Sequence, residues 1–146
     1  MRLYDFRTEY RENPIGITEK APRFSWKIES DEKDTLQTSY EIKVTDENGK
    51  LVWDSGKKIS DQSVLISYKG EALTGETFYS VEVTVADNHG NVESVEGSFE
   101  TGIFEQTEFK AQMITSDFPE DETACPVFGK TFAIDKKVKK ARLYAT

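Results

Sequence analysis

Between Tyr79 and Val85 apolar and polar residues change places at every step. Tyr79, Val81, Val83 and Val85 fall on one side, and Ser80, Glu82 and Thr84 on the other. A period of two is the side-chain repeat of an extended strand; an apolar stripe on an α-helix needs 3.6. The same alternation runs through Phe24, Trp26 and Ile28, with Ser25 and Lys27 between them, and through Tyr40, Ile42 and Val44, with Glu41 and Lys43 between them. A shorter version closes at Phe99 to Thr101. β-Branched and aromatic residues confined to one side predict antiparallel sheet with one face packed and the other in water. No segment offers a convincing amphipathic helix.

Turn chemistry separates these runs at short intervals. Asp46-Glu47-Asn48-Gly49 follows the Tyr40 strand, and its Asn-Gly pair is expected to supply the two positive-φ residues of a tight hairpin. Asp87-Asn88-His89-Gly90-Asn91 reads the same way before the last strand. Short strands with regular turns predict an all-β chain folded as a fibronectin-III/immunoglobulin-like antiparallel sandwich. Trp26 stands where the fibronectin-III fold places its early core tryptophan. Leu73-Thr74-Gly75-Glu76-Thr77-Phe78-Tyr79 resembles that family's Leu-x-Pro-Gly-Thr-x-Tyr, with Gly75 at the proline position and Glu76 at the glycine position. Tyr79 is then expected to be a corner tyrosine, ring buried and hydroxyl bonded to nearby backbone.

This organisation divides the chain into a sandwich at 1–102 and a second piece at 103–146. The second piece begins with a linker at 103–108. Apolar groups follow at 111–114 and 127–134, around a polar, acidic stretch that holds Glu120, Asp121 and Glu122. It reads as the truncated first strands of a second β-domain. Strands without their sheet expose pairing edges, so this tail is expected to pair with the sandwich or with a neighbouring copy.

The charge-bearing residues exclude several kinds of chemistry. A net charge of −8 opposes binding to nucleic acid or to an anionic membrane surface. No run approaches the roughly 20 apolar residues of a membrane span. The N-terminal residues carry no apolar leader, which predicts a cytoplasmic protein. Cys125 is the single cysteine and His89 the single histidine, so neither a disulfide framework nor a zinc site is in view. The spacing Asp87-x-His89-x-Asn91 lacks the remainder of a calcium loop. Among 27 acidic residues no spacing singles out a catalytic pair: Glu41 and Glu82 lie on solvent-facing strand positions, and Asp54 lies in a turn. No catalytic, cofactor-binding or metal-binding residue is assigned. Trp53, Tyr68 and Phe78 are the candidates for stacking on a sugar ring, although burial of Trp53 in a small core is the plainer reading.

Several segments taken in order resemble the opening of bacterial α-L-rhamnosidases. They are Asn13-Pro14-Ile15-Gly16-Ile17, Pro22-Arg23-Phe24-Ser25-Trp26, Gln37-Thr38-Ser39-Tyr40-Glu41-Ile42, Trp53-Asp54-Ser55-Gly56-Lys57, Ser60-Asp61-Gln62-Ser63-Val64 and Phe99-Glu100-Thr101-Gly102. Residues 128–134 and 141–146 resemble the start of that family's next, jelly-roll-like domain. The resemblance implies a non-catalytic N-terminal accessory domain of a glycoside hydrolase that removes terminal α-L-rhamnose. It implies as partners the downstream β and catalytic domains of the same chain, with a rhamnosylated glycoside as substrate. Those enzymes place catalysis in an (α/α)6 barrel, and no position here matches its residues, so these 146 residues alone are not expected to be an enzyme. The alternative is a stand-alone β-sandwich that binds carbohydrate or protein.

Overall fold

The computed structural model describes residues 1–117 and 125–144. It divides into two compact units, Met1–Lys110 and Ala111–Thr146. Eight strands form the first: β1 (Arg2–Thr8), β2 (Arg23–Glu29), β3 (Gln37–Asp46), β4 (Leu51–Asp54), β5 (Lys58–Ile59), β6 (Ile66–Ser67), β7 (Phe78–Asp87) and β8 (Val92–Glu100). Strands β1, β2 and β6 make one sheet; β4, β3, β7 and β8 make the other in that order, with β5 also pairing β3. Every strand pairing is antiparallel. The result is an all-β sandwich.

The alternation that predicted strands also predicts the core. Phe24 and Trp26 from β2, Ile42 and Val44 from β3, and Tyr79, Val81, Val83 and Val85 from β7 are all buried. Phe24 is the hub. Its ring lies 5.9 Å from Phe6, 6.2 Å from Trp53 and 6.0 Å from Phe99, joining both sheets. At one side the sheets close because β8 carries no side chain at Gly97; a Cβ there would stand 2.1 Å from the Phe6 ring.

Trp26 and Tyr79 lie as expected. Trp26 donates from Nε1 to Gln37 Oε1 at 3.0 Å. Gln37 passes the connection on, donating from Nε2 to the carbonyls of Ser60 (3.0 Å) and Gln62 (2.8 Å). Tyr79 is buried, and its hydroxyl accepts a hydrogen bond from the Thr74 amide at 2.9 Å. Glu76 occupies the glycine position of that turn with φ +55.

The hairpins differ from expectation in one respect. Gly49 has a positive φ of 82 and Asn48 does not, so the Asn-Gly pair does not make a two-residue turn. Asp46 opens a longer loop instead. Its Oδ1 accepts from the amides of Asn48 (2.8 Å) and Lys50 (2.9 Å), while its own amide donates to the Lys50 carbonyl. The β7–β8 loop repeats the arrangement. Asp87 Oδ1 accepts from His89 (2.9 Å) and Asn91 (2.8 Å), and Gly90 takes the positive φ. An aspartate that ties down the amides two and four residues on stabilises a wider loop, and one glycine then suffices.

The first unit continues to Lys110 because the chain after β8 still packs. Phe104 lies against the core, Lys20 pairs with Glu105 at 2.6 Å, and a 3-10 turn spans Gln106–Glu108. Among the described residues of the second unit no strand forms. Alternation by itself cannot make a strand, because a strand's amides and carbonyls need a paired neighbour. Glu120, Asp121 and Glu122 lie outside the described residues.

Candidate functional site: the aromatic edge and the terminal lock

Strand β4 sits at the edge of the larger sheet, and its Trp53 is half-buried. The indole is stacked on Phe24 and meets the edge of Tyr68 at 5.2 Å. Tyr68 itself is buried, with its hydroxyl 2.7 Å from the Glu71 carbonyl and 3.3 Å from that of Val52. That burial pushes its phenol up to about 12 from an ordinary 10.0. Gly70 lets this loop fold over β4, since a Cβ would meet the Val52 carbonyl oxygen at 2.4 Å. Tyr68 is thus spent on packing. Phe78 lies elsewhere, 37% exposed, in a broad hollow with Lys43, Thr45, Leu51 and Glu82. Trp53 and Tyr68 come together and Phe78 stands apart, so the three sequence candidates form no common platform.

The turn after β4 is ordered by its own side chains. Asp54 Oδ1 accepts from the Gly56 amide at 2.7 Å, and Ser55 Oγ accepts from the Ile42 amide at 2.8 Å. Glu41 and Glu82 lie on the outer sheet face with Lys43, where Lys43 pairs with Glu41 at 3.5 Å. His89 Nδ1 lies 3.4 Å from Glu32, in the β7–β8 loop. Among the described residues no group of three or more histidine, cysteine, aspartate or glutamate side chains is gathered for a metal ion.

The best-built polar constellation joins the two ends of the first unit. Asn13, at φ +42, accepts from both the amide and the hydroxyl of Ser98 through Oδ1, at 2.9 and 3.2 Å. Next in line, the Pro14 carbonyl accepts from the Glu100 amide, the Ile17 amide donates to the Glu100 carbonyl, and the Gly102 amide donates to Ile17 at 2.7 Å. Thr101 Oγ1 donates to the Thr74 carbonyl at 2.6 Å and accepts from the Thr77 amide. The segments Asn13 to Ile17 and Phe99 to Gly102 are therefore two halves of one lock, carrying the chain from the sandwich toward whatever follows it. Across the small sheet, Glu9 grips Arg23 bidentately at 2.6 and 3.0 Å, and that hydrogen bonding holds the Glu9 carboxyl below its ordinary value. Sequence spacing gave no hint of this pair, because its members meet only through β1–β2 pairing.

The fold is an immunoglobulin-like sandwich whose two ends are tied together, and comparison with known proteins gives its family. The model of the Rha78A-like, N-terminal immunoglobulin domain matches residues 3–105, and the chain belongs to that family. It is 34% identical over 125 residues to an α-L-rhamnosidase of Streptomyces avermitilis, a match covering 82% of this chain and 12% of that protein. A second α-L-rhamnosidase, from an Alteromonas species, is 34% identical over 92% of this chain and 16% of its own length. The chain thus spans less than a fifth of the curated relatives it matches. Among solved structures, the Streptomyces avermitilis α-L-rhamnosidase complexed with L-rhamnose superimposes with a TM-score of 0.71 at 33% identity, over 75% of this chain and 11% of that one. The Aspergillus terreus α-L-rhamnosidase, at 24% identity and TM-score 0.73, shares the fold.

Proposed function

We propose that this chain is the non-catalytic N-terminal accessory domain of an α-L-rhamnosidase-like glycoside hydrolase, which removes terminal α-L-rhamnose from glycosides. The sandwich buttresses the domains that follow it, and the lock at residues 13–17 and 98–102 sets the angle at which the chain leaves. The observation that carries this reading is the Alteromonas match. It reaches over 92% of the chain, past the sandwich and into the second unit, while covering only 16% of the relative. In that setting the exposed Val127, Phe132 and Leu143 become the interior of the next β-domain once its remaining strands are present.

An antibody against this chain then detects a polypeptide several times heavier than 16.6 kDa. Deleting residues 1–102 from that polypeptide lowers both its melting temperature and its rate of aryl α-L-rhamnoside hydrolysis. A deletion that changes neither quantity sinks the buttress role.

A further inference from the structure

Between the edge strands β4 and β5 of the larger sheet and β6 of the smaller one, the sandwich leaves an open cleft of about 410 Å³. That lies within the ~300–1,000 Å³ of small-molecule sites. Its aromatic lining is Trp53 and Tyr40, both half-buried and both anchored from behind, Trp53 on Phe24 and Tyr40 edge-on to Trp26 at 5.6 Å. Rings fixed in this way offer contact area at little entropic cost on binding. Lys58 and Lys69 also line the cleft. Lys58 pairs with Tyr40 across β3–β5, and Lys69 directly follows the buried Tyr68.

Their charges are the informative feature. Lys20, Arg23, Lys27, Lys43 and Lys50 each stand within 4.0 Å of a carboxylate. Among the described residues Lys58 and Lys69, like Lys33 and Lys57, have no such partner, and of these four Lys58 and Lys69 line the cleft. Gln62, Ser67 and Asp54 complete the polar lining. Gln62 donates from Nε2 to the Val64 carbonyl, an arrangement that leaves Oε1 as a fixed acceptor. Asp54 holds Oδ1 on the Gly56 amide and keeps a second oxygen for a hydroxyl.

From this arrangement we infer that the cleft binds an anionic sugar ring, a uronate residue of a glycan. The aromatic rings take the apolar face of the pyranose, Lys58 and Lys69 take its carboxylate, and Gln62, Ser67 and Asp54 exchange hydrogen bonds with its hydroxyls. A neutral sugar leaves both ammonium groups without a counter-charge, and a small anion without a ring leaves Trp53 and Tyr40 without a contact. The inference does not depend on the accessory-domain role, since it uses only residues of the first unit.

The test is NMR titration of the full chain with D-glucuronate, D-glucose and acetate, reading the Trp53 indole resonance against that of buried Trp26. At about 20 mM, enough to saturate a site with Kd near 1 mM, D-glucuronate shifts Trp53 and leaves Trp26 in place. D-Glucose and acetate produce at most a tenth of that shift. The Lys58→Glu, Lys69→Glu double variant, which changes exposed side chains only, weakens D-glucuronate binding at least about tenfold, and raising salt to about 0.5 M weakens it in the parent chain. The proposal is overturned if D-glucuronate leaves Trp53 unshifted, if D-glucose or acetate matches it, or if the double variant binds as well as the parent.

Discussion

Val83 and Val127 are the same residue in two different physical situations. Val83 sits in β7 between β3 and β8 and is fully buried; Val127 lies in the second unit and is 95% exposed. The contrast holds for the surrounding residues. Phe24 has three aromatic neighbours within 6.2 Å, whereas Phe132 and Leu143 are exposed. Both regions carry apolar residues at strand-like spacing, and among the described residues only the first has neighbouring strands to receive them. An apolar pattern states what a segment requires from its surroundings, and it becomes structure only where the chain supplies them.

The sharpest way to test that contrast is to remove equal chemistry from both regions. Phe24→Ala costs about 3–5 kcal/mol, the usual range for emptying a buried phenylalanine site, and Leu143→Ala changes stability by less than about 0.5 kcal/mol. Chemical denaturation of the two variants measures both numbers. A comparable loss in Leu143→Ala would show the second unit contributing to the same cooperative core.

A smaller effect separates buried from exposed groups by pH. In the unfolded chain Tyr68 releases its proton near 10.0, while in the fold it holds it until about 12. The stability this represents is fully present below pH 10 and is lost as pH rises through 12. Tyr68→Phe removes that part of the alkaline loss, and at neutral pH it costs about 1 kcal/mol for the hydroxyl bonds to Glu71 and Val52. Melting temperatures of both proteins from pH 8 to 12 show it as two curves that converge. Parallel curves would mean that Tyr68 ionises as freely in the fold as outside it.

The smallest expected change is a gain. Glu76 keeps a left-handed backbone at φ +55 in the turn before the corner tyrosine, a conformation that disfavours side chains with a Cβ. Glu76→Gly raises stability by up to about 1 kcal/mol, because the strain relieved exceeds the added freedom of the unfolded chain. A thermal melt that shows a loss would locate an interaction of the Glu76 side chain that outweighs the strain.

What could be read from the sequence follows the same division. Strands β2, β3 and β7 were legible because they keep an unbroken period of two across residues that end up buried. β1 was not. Its buried residues are Leu3, Phe6 and Thr8, and Asp5, at φ +50, puts a bulge between the first two that breaks the alternation. β5 and β6 are two residues each, too short for any period to show. Of the cleft, Trp53 was legible as an aromatic of interest. Tyr40, Lys58 and Lys69 were not connected with it, since only β3–β5 pairing and the closing of the two sheets bring them to one place. The motifs Asn13 to Ile17 and Phe99 to Gly102 were legible separately, and only the fold shows that each completes the other.

That lock has a consequence for the order in which the molecule is made. Asn13 and Ser98 are 85 residues apart, so the N-terminal segment has no place to bind until nearly the whole sandwich has been synthesised. β1 and β2 can pair early, and β3 can wait for β7. The first unit therefore closes late, since Gly102 bonds to Ile17, Phe104 packs on the core and Glu105 pairs with Lys20 only when those last residues are available. A ribosome that pauses before that point holds an open sandwich, and one that pauses after it holds a finished domain onto which the rest of the polypeptide can be assembled.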